Sequence, residues 1–275
     1  MRTESNRVTG VKGAAVQRVA WLPEADASDA VVIVHGYAEH SGRYGGVAEA
    51  LVADGLAVHA LDHRGHGRSE GPTVNVEDFR FYVSDLGALV DEVKRRHRGR
   101  TFLLGHSLGG LIAASYAAEQ QSKLDGLVLS GASVKPARVS PVLSAVARTL
   151  AVVAPGAPVL KLPLDKISRD PEVVARYEAD PLVFDRPMAA RQAREAVDAQ
   201  ARLAGRVASI TIPVLVMHGT ADALVAPADS QWFYDRVGSA DKTLKLYDGL
   251  YHEIFNEPEK EQVLADLRGW LKAHR

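Results

Sequence analysis

The segment TFLLGHSLGGLIAASYAAEQ, residues 101–120, decides the fold class of this chain. It runs from an apolar stretch typical of a buried strand, through a turn with glycines and a serine, into an alanine-rich helix. Two explanations of the turn are open. Gly109 and Gly110 allow the helix to pack closely on the sheet, and the corner can also hold Ser107 outside the fold as a nucleophile.

Short apolar runs alternate with helical patterns along most of the chain. The runs are near-continuous, as expected for strands buried on both faces, and they predict strands at 30–36, 56–62, 101–106, 126–131, 213–219 and 243–249. Helical patterns fall at about 44–54, 76–98, 108–121, 227–237 and 258–273. This order predicts an α/β fold with a mostly parallel sheet and helices on both faces, and residues 17–23 predict an antiparallel edge strand.

The alternation stops between about 134 and 208, where helical patterns and prolines replace strand-like runs. We therefore predict a core formed by 1–133 and 209–275, with a helical insert at 134–208. The insert either covers sheet edges or forms a cap over an active site. We favour a cap, because the insert falls between two strands whose C-terminal ends carry candidate catalytic residues.

Composition excludes several classes of function. With 33 basic and 34 acidic residues among 275, the net charge is −1, so the chain has no electrostatic footprint for nucleic acid. Cysteine is absent, which rules out disulfides, thiolate metal sites and a cysteine nucleophile. The N-terminal residues contain no apolar signal region, so we expect a cytoplasmic protein without a transmembrane helix, able to contact a membrane at its periphery.

The pentapeptide GHSLG, residues 105–109, matches the pattern G-x-S-x-G, which is meaningful only between a strand and a helix. Its position here meets that condition. A serine hydroxyl needs a base, and the base needs an acid that orients it. Asp222 and His252 each follow a predicted strand, and the order serine, acid, histidine is the one expected in this fold.

Other residues compete for these roles. His35, His106 and His218 also end strands, but each lies within a glycine-containing turn, so His252 is preferred as the base. Asp248 is the rival acid, and we favour Asp222 because Asp248 shares the histidine's own loop.

Donors for a developing oxyanion are expected at two turns. The Leu108 N–H lies at the start of the helix, where the dipole is positive. The turn after the first core strand contains Gly36 and then Tyr37, and we expect the Tyr37 N–H to be the second donor.

The glycine-rich stretch DHRGHGRSEG, residues 62–71, is one residue too long for a dinucleotide fingerprint. Asp62, His63 and His66 have no helix or hairpin that would fix them as metal ligands. We therefore interpret it as a tight structural loop, and we expect no cofactor and no metal.

Six segments together resemble the α/β-hydrolases of the monoacylglycerol lipase and lysophospholipase type, and the resemblance extends from about 17 to 272. The segments are HGYAEHSGRY, LDHRGHGRSEG, GHSLGG, YEADPL, GTADALV and KLYDGLYHEIFNE. The resemblance implies an α/β-hydrolase fold, the triad Ser107, Asp222 and His252, and a serine lipase that hydrolyses monoacylglycerol to fatty acid and glycerol through an acyl-enzyme. Tyr37 stands where the family usually has a small residue, a departure that would narrow the pocket.

The resemblance also implies partners and further site residues. Glu39, Arg43 and Tyr177 match positions that hold the glycerol group, although a structural salt bridge and a packed tyrosine would also explain them. The cap would meet a membrane or micelle, and TLAVVAPGAPVL, residues 149–160, would either dip into that surface or pack inside the cap.

Three alternatives stay open or are disfavoured. A lysophospholipase or broad carboxylesterase would use the same triad. Ser107 argues against dehalogenases and epoxide hydrolases of this fold, which need an aspartate nucleophile. A binding protein without catalytic activity would be expected to lack a triad member. The oligomeric state and the acyl-chain preference are not predicted.

Overall fold

The strand of the quoted segment lies near the middle of an eight-stranded sheet, in a computed structural model that describes residues 1–137 and 140–275. The strands are β1 (Arg2–Thr9), β2 (Ala15–Leu22), β3 (Ala30–Val34), β4 (Ala57–Leu61), β5 (Thr101–His106), β6 (Gly126–Ser130), and, after a two-stranded pair β7 (Pro158–Leu160) and β8 (Met188–Ala189), β9 (Val214–Gly219) and β10 (Lys242–Tyr247). The order across the sheet is β1-β2-β4-β3-β5-β6-β9-β10. The pairs β1/β2 and β2/β4 are antiparallel, and every later pair in the sheet is parallel.

The helices are α1 (Gly45–Ala53), α2 (Arg80–Arg96), α3 (Leu108–Gln120), α4 (Pro141–Val153), α5 (Pro171–Ala179), α6 (Ala190–Ala204), α7 (Pro227–Arg236) and α8 (Lys260–Ala273). Both faces of the sheet are covered by α1, α2, α3, α7 and α8. Alternate residues of β3 enter different cores, because successive side chains of a strand point to opposite faces. Val32 and Val34 pack in the cluster of α2 and α3, whereas Val31 and Ile33 pack in the cluster of α1 and α8.

The segment between β6 and β9 contains α4, α5, α6 and the short antiparallel pair of β7 and β8. Hydrogen bonds tie its later part to the rest of the protein: the Phe184 N–H donates to the Ala38 carbonyl at 3.0 Å, and the Gln192 amide oxygen accepts the Val76 N–H at 2.9 Å. The predicted insert at 134–208 falls in this segment, and residues 138–139 of it lie outside the described residues.

The predicted α/β fold class is confirmed, and three strands were missed. The strand predicted at 17–23 is antiparallel as expected, but it lies between β1 and β4 and not at the edge of the sheet. β1 was not predicted because RTESNRVT contains one strongly apolar residue, Val8, and its side chains are mostly exposed. β7 and β8 were not predicted because they are only three and two residues long. Within residues 1–137 and 140–275, no helix combines the length and apolarity needed to cross a membrane.

Candidate active site

Ser107 occupies a strained turn between β5 and α3. Its backbone has φ 53° and ψ −118°, in the positive-φ region that a residue with a side chain rarely adopts. The Ser107 N–H donates to the Ser130 carbonyl at 3.0 Å, and its own carbonyl accepts the Gly110 N–H at 3.0 Å. The side chain makes no capping hydrogen bond to α3 and is partly exposed. The turn therefore holds the hydroxyl at the carboxyl edge of the sheet.

Glycines are required on both sides of this serine. A Cβ on Gly105 would lie 2.6 Å from the Gly109 carbonyl oxygen, and one on Gly109 would lie 2.0 Å from the Val34 carbonyl oxygen. Both distances are far below van der Waals contact. The expected close approach of strand and helix at this motif is confirmed.

Asp222 and His252 meet across two loops that follow β9 and β10. Asp222 Oδ2 lies 2.6 Å from His252 Nδ1. The loops are joined by main-chain bonds, in which the Ala221 N–H donates to the Leu250 carbonyl at 3.0 Å. Gly219 permits this contact, since a Cβ there would lie 2.2 Å from the Leu250 carbonyl oxygen.

The His252 ring lies against the segment around Ser107. Its centroid is 4.6 Å from that of the His106 ring, the residue before the serine. A Cβ on Gly131, which has φ +52°, would be 3.2 Å from His252 Nδ1. Since Nδ1 is directed at Asp222, Nε2 is the ring nitrogen left to interact with a hydroxyl. The structure thus brings the ends of β5, β9 and β10 and their three predicted residues to one edge of the sheet.

The Asp222 carboxylate receives four hydrogen bonds in a buried site. Oδ1 accepts from the N–H groups of Leu224 and Val225 at 2.8 and 2.9 Å, and Oδ2 lies 2.9 Å from His218 Nε2 in addition to His252. Burial by itself raises the pKa of Asp222, but the hydrogen bonds from His218 and His252 outweigh it and hold the pKa well below its usual range. The group is therefore an anion at neutral pH.

The alternative candidates from the sequence make other contacts in the structure. Asp248 is exposed, and its carboxylate accepts a hydrogen bond from the Thr220 hydroxyl at 3.1 Å. Asp62 accepts from the Ser41 N–H at 2.9 Å and from the Arg68 N–H at 2.8 Å, as expected for a structural loop. His106 is buried, which lowers its pKa to about 4.

The two predicted oxyanion donors lie on either side of Ser107. Leu108 is the first residue of α3, so its N–H has no acceptor within the helix. The turn that contains Tyr37 packs on the serine, because a Cβ on Gly36 would be 3.2 Å from the Ser107 Cβ. The Tyr37 side chain is buried, its hydroxyl has no hydrogen-bond partner, and its ring meets the His66 ring edge-on at 5.9 Å.

Glu39 holds the same turn in place through hydrogen bonds. Its Oε1 accepts the Gly36 N–H at 2.6 Å and the Tyr44 hydroxyl at 2.8 Å, and its Oε2 lies 2.8 Å from Arg43. Burial alone raises the pKa of Glu39, but Arg43 and these donors hold it below its usual value. Both carboxylate oxygens are therefore occupied by the protein.

Arg43 and Tyr177 complete this polar cluster together with Glu253. The Arg43 guanidinium forms a two-pronged pair with Glu253 at 2.6 and 2.8 Å and lies over the Tyr177 ring at 4.4 Å. A cavity of about 20 Å³ borders Glu39, Arg43 and Glu253, which is room for about one water. The three predicted head-group residues are together, and a second cavity of about 200 Å³ borders Arg43 and Tyr177 on the side of Asp180.

The contacts of His218 and Glu253 are not among those predicted from the sequence. His218 lies four residues before Asp222 across the turn HGTAD, and this spacing is a signal that the two side chains can meet. Glu253 directly follows His252, and nothing local in the sequence indicates its partner Arg43, 210 residues away.

The chain matches the model of the serine aminopeptidase family S33 over residues 25–259. The chain belongs to this family. Members of the S33 family are hydrolases, so the prediction of a hydrolytic enzyme is confirmed.

Several relatives match this S33 chain over nearly its whole length. The monoacylglycerol lipase of Mycolicibacterium smegmatis is 46% identical over 267 residues, covering 96% of this chain and 95% of the relative. The crystal structure of Paleococcus ferrophilus monoacylglycerol lipase superposes with a TM-score of 0.84 at 32% identity, covering 94% and 99%. A soluble variant of monoglyceride lipase from Saccharomyces cerevisiae, solved with a substrate analogue, has a TM-score of 0.84 at 25% identity, covering 100% and 95%. The expected relationship and the α/β-hydrolase fold are confirmed.

Proposed function

We propose that this protein is a serine lipase that hydrolyses monoacylglycerol to a free fatty acid and glycerol. The observation that carries the proposal is the convergence of a strained Ser107 with a buried Asp222–His252 pair, joined at 2.6 Å, at one edge of the sheet. The 46% identity to a monoacylglycerol lipase over nearly the full length supports the substrate class.

The proposed reaction has two halves. Ser107 Oγ attacks the ester carbonyl while His252 Nε2 takes its proton, and the tetrahedral intermediate collapses to an acyl-enzyme as the imidazolium returns the proton to the departing glycerol oxygen. A water then attacks the acyl group with His252 again as the base, which releases the fatty acid and restores Ser107. Asp222 stays ionised throughout and stabilises the imidazolium.

The N–H groups of Tyr37 and Leu108 would stabilise the oxyanion in both halves. Their support is geometric, since the first lies in the turn packed on Ser107 and the second begins α3. The Tyr37 phenol is assigned no role in the chemistry, because it is buried among other rings.

Arg43 and Tyr177 would contact the glycerol group, and Glu39 would contribute by placing Arg43. Both oxygens of Glu39 are already occupied, so we assign it the placement of Arg43 and of the Gly36 turn. The cavity of about 200 Å³ that borders Arg43 and Tyr177 supports this contact, and the cavity of about 20 Å³ beside Arg43 has room for one bridging water.

Residues 134–208 would act as the cap, with α4 and the following loop as the part that meets a membrane or micelle. Several valines there are unusually exposed, with Val152 at 72% and Val153 at 77%. A neighbouring apolar groove of about 320 Å³ runs between α4, α6 and β7. Replacing Val152 and Val153 together by glutamate should reduce sedimentation with anionic vesicles and activity on emulsified lipid, with little effect on a soluble ester. Equal vesicle binding by the double variant would contradict this role.

A substrate panel tests the function itself. Monoacylglycerol, diacylglycerol, triacylglycerol, lysophosphatidylcholine and p-nitrophenyl esters of the same acid are compared by kcat/KM in matched detergent, with Ser107→Ala as the control. The proposal predicts the highest value for monoacylglycerol and a steep fall with each added acyl chain, because a second chain removes a hydroxyl and enlarges the head. A higher value for lysophosphatidylcholine would instead favour a lysophospholipase, and equal values for all simple esters a carboxylesterase.

A further inference from the structure

A second histidine, His218, shares the carboxylate oxygen that His252 uses. His218 lies at the end of β9 with no exposed surface, and its Nε2 is 2.9 Å from Asp222 Oδ2 and 3.0 Å from the Val225 carbonyl oxygen. Both neighbours only accept hydrogen bonds when Asp222 is ionised, so Nε2 must carry a proton. His218 therefore donates to Asp222.

The other side of the His218 ring is held as well. Nδ1 lies 2.7 Å from the hydroxyl of Ser230 on α7, which can donate to it when the ring is neutral. The ring thus has a fixed orientation and a fixed tautomer. A line of hydrogen bonds runs from Ser230 through His218 and Asp222 to His252.

We propose that His218 is a positioning residue for the reaction, which fixes the Asp222 carboxylate and moderates the negative charge that His252 meets. A carboxylate has about four acceptor sites, and His218 fills the fourth beside His252 and two main-chain N–H groups. This inference rests on the proposed function, and it assigns to His218 no contact with substrate.

Two effects follow from the shared oxygen. Without His218, one acceptor site of a buried carboxylate is empty, so the carboxylate is held less firmly and His252 is aimed less well. The charge on Oδ2 is also no longer divided between two donors, so it stabilises the protonated form of His252 more strongly. The acid limb of the pH profile should then move to higher pH.

Other ionisable groups face these residues from several elements. His106 at the end of β5 packs on His252, and Glu39 and Glu253 interact with His106. Asp229 on α7 interacts with His218, with Asp222 and with Lys135. None of these groups is replaced in the variants below, and Ser230→Ala keeps the contact between His218 and Asp229.

The test measures kcat/KM on a soluble p-nitrophenyl ester from pH 5 to 9 for wild type, His218→Leu, His218→Gln and Ser230→Ala. His218→Leu should lower the plateau about 10- to 100-fold and raise the acid limb by roughly half to one pH unit. His218→Gln can place an amide N–H near the lost donor and should recover most of both effects. Ser230→Ala leaves the Nε2–H donor in place and should keep the wild-type limb.

The result that overturns the inference is a lower plateau in His218→Leu with an unmoved acid limb and no rescue by His218→Gln, since a merely structural role gives that pattern. Absence of esterase activity in the wild type would instead contradict the proposed function. Should His218→Leu fail to fold, nitrogen-15 NMR of the wild type decides the matter. His218 must then show a proton on Nε2, and a ring protonated only on Nδ1 refutes the assignment.

Discussion

Replacing Glu39 by alanine should lower the stability of the protein and displace the turn that contains Gly36 and the proposed oxyanion donor, the Tyr37 N–H. Alanine removes the acceptor of the Gly36 N–H and of the Tyr44 hydroxyl, which are 2.6 and 2.8 Å from Oε1. Glutamine keeps a carbonyl oxygen that can serve both donors, but its NH₂ group then faces Arg43. The two substitutions therefore separate the placement of the turn from the ion pair.

The cost of each change can be worked from these contacts. Two buried donors without acceptors cost about 1–3 kcal/mol each, and the lost charge-assisted bond to Arg43 costs about 1.5–3 kcal/mol, so Glu39→Ala should lose roughly 3.5–9 kcal/mol of the free energy of unfolding. Arg43 keeps its pair with Glu253, so no fully unpaired charge is added. Glu39→Gln loses only the charge-assisted bond, about 1.5–3 kcal/mol. At about 2–4 °C per kcal/mol for a chain of this size, the Tm should fall roughly 7–36 °C for alanine and 3–12 °C for glutamine.

Differential scanning fluorimetry and kcat on a short p-nitrophenyl ester check both effects. Because the Gly36 turn carries the Tyr37 N–H, Glu39→Ala should lose about 10- to 100-fold in kcat, whereas Glu39→Gln should stay within a few-fold of wild type. Glu172→Ala is the control, since that side chain is 81% exposed in a surface pair with Arg176. A Tm for Glu39→Ala equal to that of the control, or equal kcat losses for alanine and glutamine, would mean that Glu39 does not hold the Gly36 turn.

Further tests concern two backbone positions, Tyr37 and Gly109, and the loss of thermal stability at low pH. Tyr37→Pro removes an oxyanion donor and should lose roughly 10²–10³ in kcat on short esters, whereas Tyr37→Ala should keep much of it, and equal losses would mean that the phenol takes part. Gly109→Ala places a Cβ 2.0 Å from the Val34 carbonyl oxygen and should cost at least about 3 kcal/mol in urea unfolding, whereas Gly46→Ala, which meets nothing within 4 Å, should not destabilise. Burial and neighbouring charges lower the pKa of His59 to about 3, and burial lowers that of His66 to about 4, so their stabilising effect is complete above the unfolded value of 6.5. Since the unfolded chain binds these protons first, Tm should fall as pH drops from 6.5 towards 4, and a constant Tm over that range would contradict the burial of these rings.

The strands and helices of the core were predictable because their signals are local. Residues 101–120 contain a buried strand, a glycine turn and a helix in immediate succession, and the structure has β5 and α3 within one residue of the predicted ends. β1 was not predictable in this way, because an edge strand with mostly exposed side chains has no apolar period. β1 pairs with β2 through main-chain hydrogen bonds, which do not depend on the side chains.

The candidate site was predictable where a residue follows a strand. Parallel strands bring their carboxyl ends to one edge, so chain position alone indicated that the loops containing Ser107, Asp222 and His252 would meet. The partners of a buried charge are different, since they depend on packing between distant segments. Arg43 binds Glu253 from 210 residues away, and the full occupation of Glu39 by Gly36 and Tyr44 depends on distances that a sequence does not contain.

Mass spectrometry after reaction with a fluorophosphonate tests whether Ser107 is the nucleophile of a triad with Asp222 and His252. We expect one adduct per chain, on the peptide that contains Ser107. Ser107→Ala should take up no label, and His252→Ala should label far more slowly than wild type. Equal labelling of Ser107→Ala, or an adduct on a different residue of the wild type, would mean that Ser107 is not the nucleophile.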